Sequence, residues 1–270
     1  MIKLDIPYRI WIALFNFIFL VGCKKEEQRT FDFILQTKTM EAPLNGQSYL
    51  PIVSGNSDYS IKIENSDIAT ADFIGGGGLN FGAIVISGKK KGVTTISITD
   101  KVTGTVEKVK LKVTDFYLPL VVSNSNHPAL LQNMRFYLVN NEKKDVFFFL
   151  ESDGKLELQQ KGSYEFLSEE EGETKIPYLI LHFASDEEGH FTDSGGHSVT
   201  HKFDLRGSNG QVYELFRVAF GVKWGLDPVP TTKSSPISRM QVIMKEVGTN
   251  FGVQAYLDSS NWKDYIPSDI

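Results

Sequence analysis

Cysteine is all but missing, since the 270 residues contain a single one, Cys23. A disulfide framework and a cysteine-built zinc site are therefore excluded. No apolar run is long enough for a membrane span. The longest near the start, Ile10 to Val21, covers 12 residues, and a helix needs about 20 to cross hydrocarbon. Positive charge is not in excess either: 28 Lys and Arg face 33 Asp and Glu, for a net charge of -5. Lys3 and Arg9 against Asp5 give the first 22 residues +1, which leaves -6 for the remainder. Nucleic acid rewards clustered Lys and Arg, and the one notable cluster, Lys89-Lys90-Lys91 before Gly92, reads as a solvated turn. No nucleic-acid partner is expected.

Chemical motifs are missing as well. There is no G-x-S-x-G elbow, no H-E-x-x-H and no calcium-loop spacing. The glycine run Gly75-Gly76-Gly77-Gly78 is followed by Leu79-Asn80-Phe81, so it lacks the lysine and hydroxyl of a phosphate-binding loop. Four histidines fall late, His182, His190, His197 and His201, among Asp186, Glu187, Glu188, Asp193 and Asp204. Their spacing fits no metal pattern. Strand alternation puts His201 on one face with Val199, Phe203 and Leu205, as a residue at the edge of a core, while Asp186 to Glu188 reads as a solvated loop. No catalytic residue, metal ligand or cofactor is expected, and the chain reads as a non-enzyme.

What is present begins at the amino terminus. A charged start, a 12-residue apolar core and Leu20-Val21-Gly22-Cys23 follow one another. This order describes a secretory signal, not a span. The four residues resemble the lipobox of bacterial lipoproteins. The resemblance implies cleavage after Gly22, diacylglycerol on the Cys23 sulfur and acylation of the new amino terminus, so that membrane lipid is a partner through Cys23. Several chains on one residue exceed marginal anchoring, since each buried methylene contributes about 0.8 kcal/mol. The polar run Lys24-Lys25-Glu26-Glu27-Gln28-Arg29-Thr30 reads as a tether, and Lys25-Glu26-Glu27 resembles the surface-export signal of Bacteroidetes lipoproteins. That implies an outer-membrane lipoprotein facing the cell exterior.

From Phe31 to Asp115 the pattern is strand, turn, strand. Tyr59-Ser60-Ile61-Lys62-Ile63, Ala83 to Ile86, Thr94 to Thr99 and Val106 to Val113 alternate apolar with polar, as half-buried strands do. Ile96 and Ile98 are expected in the core, with Thr95, Ser97 and Thr99 facing out. Ile52-Val53-Ser54-Gly55-Asn56, Asn65 to Ala71, Ile86-Ser87-Gly88, Lys91 to Asp100 and Val109 to Val113 resemble bacterial Ig-like domains. Residues 116–270 read as a second unit. Strands are expected at Met134 to Val139, Val146 to Glu151, Lys155 to Gln159, Tyr178 to Ala184, Val199 to Arg206, Gln211 to Phe220, Met240 to Glu246 and Gly252 to Leu257. Asp153-Gly154 and Asn209-Gly210 carry hairpin signals, Pro128 to Met134 is a candidate short helix, and Phe147-Phe148-Phe149 implies a strand covered on both faces. Val146 to Phe166, with its D-G turn and Gly162-Ser163-Tyr164-Glu165-Phe166, faintly resembles lipocalin-like lipoproteins.

The expected fold is all-β, an amino-terminal Ig-like β-sandwich followed by a second antiparallel β-sandwich or barrel. The boundaries are 1–22 signal peptide, 23–30 lipidated cysteine and tether, 31–115 Ig-like domain and 116–270 carboxy-terminal β-domain. This layout resembles the surface glycan-binding lipoproteins of Bacteroidetes polysaccharide-uptake systems. It implies a non-catalytic binding or scaffolding role, with polysaccharide or a surface protein complex as partner. Sugar binding needs exposed rings for stacking, for which Trp224, Trp262, Tyr256 and Tyr265 are the candidates. The alternatives are a lipocalin-like carrier of a small ligand, which requires an apolar cavity, and a purely structural or adhesive protein.

Overall fold

A computed structural model describes residues 30–76, 81–192, 198–225 and 240–258. The signal peptide and Cys23 lie outside the described residues, as do Trp262 and Tyr265. The described chain is all-β apart from one helix, and its sheets are antiparallel except where β2 joins β8.

Eight strands come first: β1 (Ile34–Leu35), β2 (Thr39–Pro43), β3 (Gln47–Ser54), β4 (Tyr59–Ile63), β5 (Ala69–Ile74), β6 (Ala83–Gly88), β7 (Gly92–Asp100) and β8 (Val106–Thr114). They form two four-stranded sheets, ordered β1-β3-β6-β5 and β2-β8-β7-β4. Alternation decides which residues fill the space between the sheets. Ile96 and Ile98 on β7 are fully buried, facing Leu50, Ile84 and Ile86 from the opposite sheet. Thr95, Ser97 and Thr99 point the other way and are half-buried. The chain enters this sandwich at one end and leaves at the other. Asn56 pins the entering strand, accepting Phe31 N–H at 2.8 Å and donating to Phe31 O at 2.9 Å. β8 then runs the length of the sandwich to Thr114, and only Asp115 and Phe116 separate it from the next strand.

That strand, β9 (Tyr117–Ser125), opens a closed barrel. It continues through β10 (Arg135–Val139), β11 (Asp145–Ser152), β12 (Lys155–Glu171), β13 (Thr174–Ala184), β14 (Ser198–Asp204), β15 (Gln241–Glu246) and β16 (Gly252–Leu257), and β16 pairs back onto β9. Asp153 and Gly154 take φ of 50° and 71° between β11 and β12, as a tight hairpin of this kind requires. β12 serves two neighbours, β11 up to Ser163 and β13 from Ser163 onward. Gly162 sits at that corner, where a Cβ would lie 2.1 Å from His182 O. The interior is packed: Phe136, Phe148, Leu179, Leu181, Phe203 and Met244 are fully buried in one cluster. β11 is covered on both faces, since Phe147 and Phe149 are buried outside the barrel among Tyr137 and Val139.

Two expectations are corrected. Gln211 to Phe220 is not a strand but lies in helix α1 (Gly210–Phe220), and Asn209-Gly210 is its start, not a hairpin. Asn209 caps the helix by accepting Val212 N–H, and Gly221 at φ 69° ends it by donating to Arg217 O. Asn and Gly suit a cap as well as a turn. The period decides: Val212 and Phe216, four apart, are buried against the barrel core. Likewise Pro128 to Met134 forms turns instead of a helix. The backbone N–H groups of Ala129 and Leu130 are taken by the His127 ring, and Asn133 is left-handed at φ 68°. Side-chain capture of backbone donors competes with helix formation.

Asp100 closes the β7–β8 turn. Burial alone would raise its pKa, yet hydrogen bonds from Asn56 and from the Thr103 and Val102 N–H groups hold it below the usual carboxylate range. Asp100→Ala should lower sandwich stability by about 2 kcal/mol, read as a shift of the urea midpoint. In the wild-type protein this contribution is full above the unfolded carboxylate pKa of about 3.9 and is lost as pH falls through the lower folded value.

Candidate functional site

Trp224, one of the four stacking candidates, is buried at 6 % exposure. The chain turns back after Gly221, which lays the indole against Phe166, Tyr213 and Phe216, and its N–H donates to Tyr213 O at 3.2 Å. A ring so covered offers no face to a sugar. A groove of about 300 Å³ beside it is lined by Tyr164, Phe166, Phe220 and Val222. Tyr164 donates there to Val139 O and Ser168 to Trp224 O, while Lys144, Glu165 and Lys223 stand at its rim. Tyr256 stands 41 % exposed on β16.

The late histidines do not converge. His182 meets Thr200 at 3.1 Å on the barrel wall, and His190 sits 3.4 Å from Asp186 in an exposed loop. Asp186 itself accepts the Glu188 and His190 N–H groups, which is turn chemistry. Asp204 is held by Arg206. His197 and Asp193 lie outside the described residues.

His201 does find partners, two of which the sequence reading passed over. His127, from the β9–β10 connection, and Glu246, at the end of β15, meet it at one end of the barrel, and all three are buried. His201 Nδ1 lies 2.8 Å from Glu246 Oε1, and His127 Nε2 lies 3.7 Å from Oε2. Thr249 donates to the same Oε2 at 3.2 Å. Phe183 stacks on the His201 ring at 4.1 Å. His127 could have been suspected only from its place in Ser125-Asn126-His127-Pro128, where a polar side chain before proline suits turn capping. Glu246 gave no signal.

The donor chemistry of this trio decides against a metal centre. His127 Nδ1 accepts the Ala129 and Leu130 N–H groups at 3.0 and 3.3 Å. The ring proton therefore sits on Nε2, the nitrogen facing Glu246, which leaves no lone pair there for a cation. Binding a metal through Nε2 would require two N–H groups to point at a protonated Nδ1.

A second reading is nucleophilic. Ser185 Oγ lies 3.2 Å from His201 Nε2, so Ser185, His201 and Glu246 stand in the relay order of an acyl-transfer triad. Acyl transfer also needs N–H groups free to meet a developing oxyanion, and the residue after the nucleophile supplies one in the hydrolase template. Here Asp186 N–H donates to His190 O at 3.0 Å, and the nearby Thr192 N–H donates to Ala184 O at 3.2 Å. Neither of these two N–H groups is free to meet an oxyanion. What remains is a clasp. β14 and β15 share only two paired positions, Phe203 with Glu246 and Asp204 with Lys245. The His201–Glu246 bridge crosses that seam from inside.

No family model matches the chain, and no curated protein matches it. Among solved structures it is similar to domains 5–6 of the S-layer protein SbsC, at 10% identity and a TM-score of 0.28, over 65% of this chain and 97% of that one. A crystal structure of a longer piece of the same protein gives 10% identity and a TM-score of 0.28, over 66% of this chain and 24% of that one. A structure of its domains 1–6 gives 11% and 0.25, over 65% and 24%. Overlaps this loose carry no weight for fold or role.

Burial pushes the His127 pKa down to about 4, the nearby Glu246 pulling it back up and His201 adding to the depression. The unfolded chain takes up this proton near pH 6.5, while the folded protein refuses it until about pH 4. Stability should be full above pH 6.5 and fall by at most ~3 kcal/mol as pH drops through that window. His127→Asn keeps an acceptor for the Ala129 N–H and removes the titration. Urea unfolding at pH 7 and pH 4.5 should show a smaller acid loss in His127→Asn than in wild type; equal losses would contradict the assignment.

Proposed function

We propose that the protein is an outer-membrane lipoprotein, held by acyl chains on Cys23 and displayed outward, in which an Ig-like sandwich serves as a post for a barrel that scaffolds or adheres and does no chemistry. The observation that carries this reading is the path of the chain. It enters the sandwich beside the tether at Phe31, pinned by Asn56, and leaves from the opposite end at Thr114. Nine residues of β8 at about 3.3 Å each make a post of roughly 30 Å.

The domain limits fit the same layout, 31–115 for the post and 116–270 for the unit it carries. Packing favours scaffolding over transport: the barrel interior is filled by aromatic and aliphatic side chains among the described residues, where a lipocalin-like carrier needs a cavity. A glycan-binding role would fall to Tyr256, Trp262 and Tyr265, because Trp224 is enclosed. The hydrogen bonds of the buried histidine cluster and of the neighbouring Asp186 and Thr192 N–H groups support a role without catalysis, metal or cofactor.

The test is metabolic labelling with palmitate together with Cys23→Ser. The wild-type protein should carry label and stay in the membrane fraction after high-salt washing, and Cys23→Ser should lose both. An unlabelled protein that still begins at Met1 would remove the anchor and the post with it.

A further inference from the structure

The surface of the sandwich is not evenly polar. Eight of its large apolar side chains stand exposed: Phe31, Ile34, Tyr49, Val53, Ile74, Val93, Val102 and Val106. Pairing registers place six of them at one end. Ile34 pairs with Ser54, the last residue of β3, and Val53 stands next to it. Ile74 closes β5 opposite Ala83, the first residue of β6. Val106 opens β8 opposite Thr99, and Val102 sits in the turn between them. Phe31, 50 % exposed, meets this end through Asn56, which also bonds Asp100 of β7. Tyr49 lies partway along β3, and Val93 lies at the opposite end, where β7 begins.

This end is the one the tether reaches. Seven residues, Lys24 to Thr30, separate Cys23 from Phe31, so the sandwich cannot stand more than about 30 Å from the acylated sulfur. Part of the charge at this end is neutralised. Lys101 and Asp58 pair at 2.8 Å, and the buried Asp100 carboxylate is taken by Asn56 and two backbone N–H groups. Asp32 beside Phe31 and Asp72, two residues before Ile74, remain exposed, which keeps contact at the depth of the headgroups instead of the hydrocarbon centre. Apolar groups that gain little in water are favoured at that boundary, and a short tether raises their local concentration there.

We propose that the tether end of the sandwich, ringed by Phe31, Ile34, Val53, Ile74, Val102 and Val106, seats on the lipid surface that anchors Cys23. Two contacts, the acyl chains and this ring, then fix the axis of the post where a flexible tether alone would let it swing. This rests on the lipid anchor proposed above and goes beyond it by assigning a second, protein-borne lipid contact.

The test uses the full lipidated protein, reconstituted into vesicles of phosphatidylethanolamine and phosphatidylglycerol with or without brominated acyl chains. Phe31→Trp reports from the ring and Val93→Trp from the far end. Brominated lipid should quench the added fluorescence of Phe31→Trp at least twofold more than that of Val93→Trp. Val106→Trp serves as a second ring probe should Phe31→Trp not fold. Equal quenching at the two ends overturns the proposal. So does a ring probe shielded only as protein density rises in unbrominated vesicles, which would make the occupant a second copy. Palmitate labelling of the same preparation separates the two failures, because a labelled protein without selective quenching keeps its anchor and loses only the seat.

Discussion

The barrel closes across a seam in which β14 and β15 share two paired positions, and the buried bridge from His201 to Glu246 spans it. A carboxylate inside a protein is tolerated only when its lone pairs are taken. Glu246 meets this condition through His201, Thr249 and the nearby His127. Ser208 lengthens the same seam by side chain, its Oγ both donating to Ile243 O and accepting Ile243 N–H. Gly207 permits the approach, for a Cβ there would lie 2.8 Å from Ile243. Polar groups thus replace a backbone ladder that is too short. Breaking one partner of such a buried pair typically removes about 3–5 kcal/mol, a large share of a domain's net stability.

The same cluster explains why the connection from β9 to β10 is ordered without being helical. His127 gives its Nδ1 to the chain just ahead of it and turns its other face to Glu246. One ring ties a loop to a seam made by strands far away in sequence. It does so only while neutral, since a second proton would set Nδ1 against two N–H donors. Acid therefore acts on this end of the barrel before it acts on the apolar interior, where nothing titrates.

How much of this could be seen in the sequence depends on how local its cause is. The alternation that buries Ile96 and Ile98 is a property of nine consecutive residues, and it survives folding unchanged. So does the Asp153-Gly154 turn. Asn209-Gly210 offered the same chemistry for two outcomes, and the choice was made by what Val212 and Phe216 could reach in the barrel core. Trp224 was a candidate for stacking on a sugar, but the left-handed Gly221 returns it to the core. The clasp was the least legible. His201 was placed rightly at the edge of a core, while its two partners come from stretches with no pattern of their own, brought together only by closure of the barrel.

Side-chain contacts also tie the joint between sandwich and barrel. Two residues link β8 to β9, and neither is free: Asp115 is held by Lys91 at 2.8 Å, and Phe116 meets Phe220 at the end of α1. Tyr117 donates its hydroxyl to Glu41 of β2 at 2.6 Å, and burial together with that carboxylate pushes the phenol pKa well up. The Glu41 carboxylate lies close to Lys112 of β8 as well. A linker of two engaged residues leaves the chain little slack between the sandwich and the barrel. Under the proposed anchor on Cys23, a tilt set at the far end, beside Phe31, would then be passed through Glu41, Lys112 and Tyr117 to the barrel.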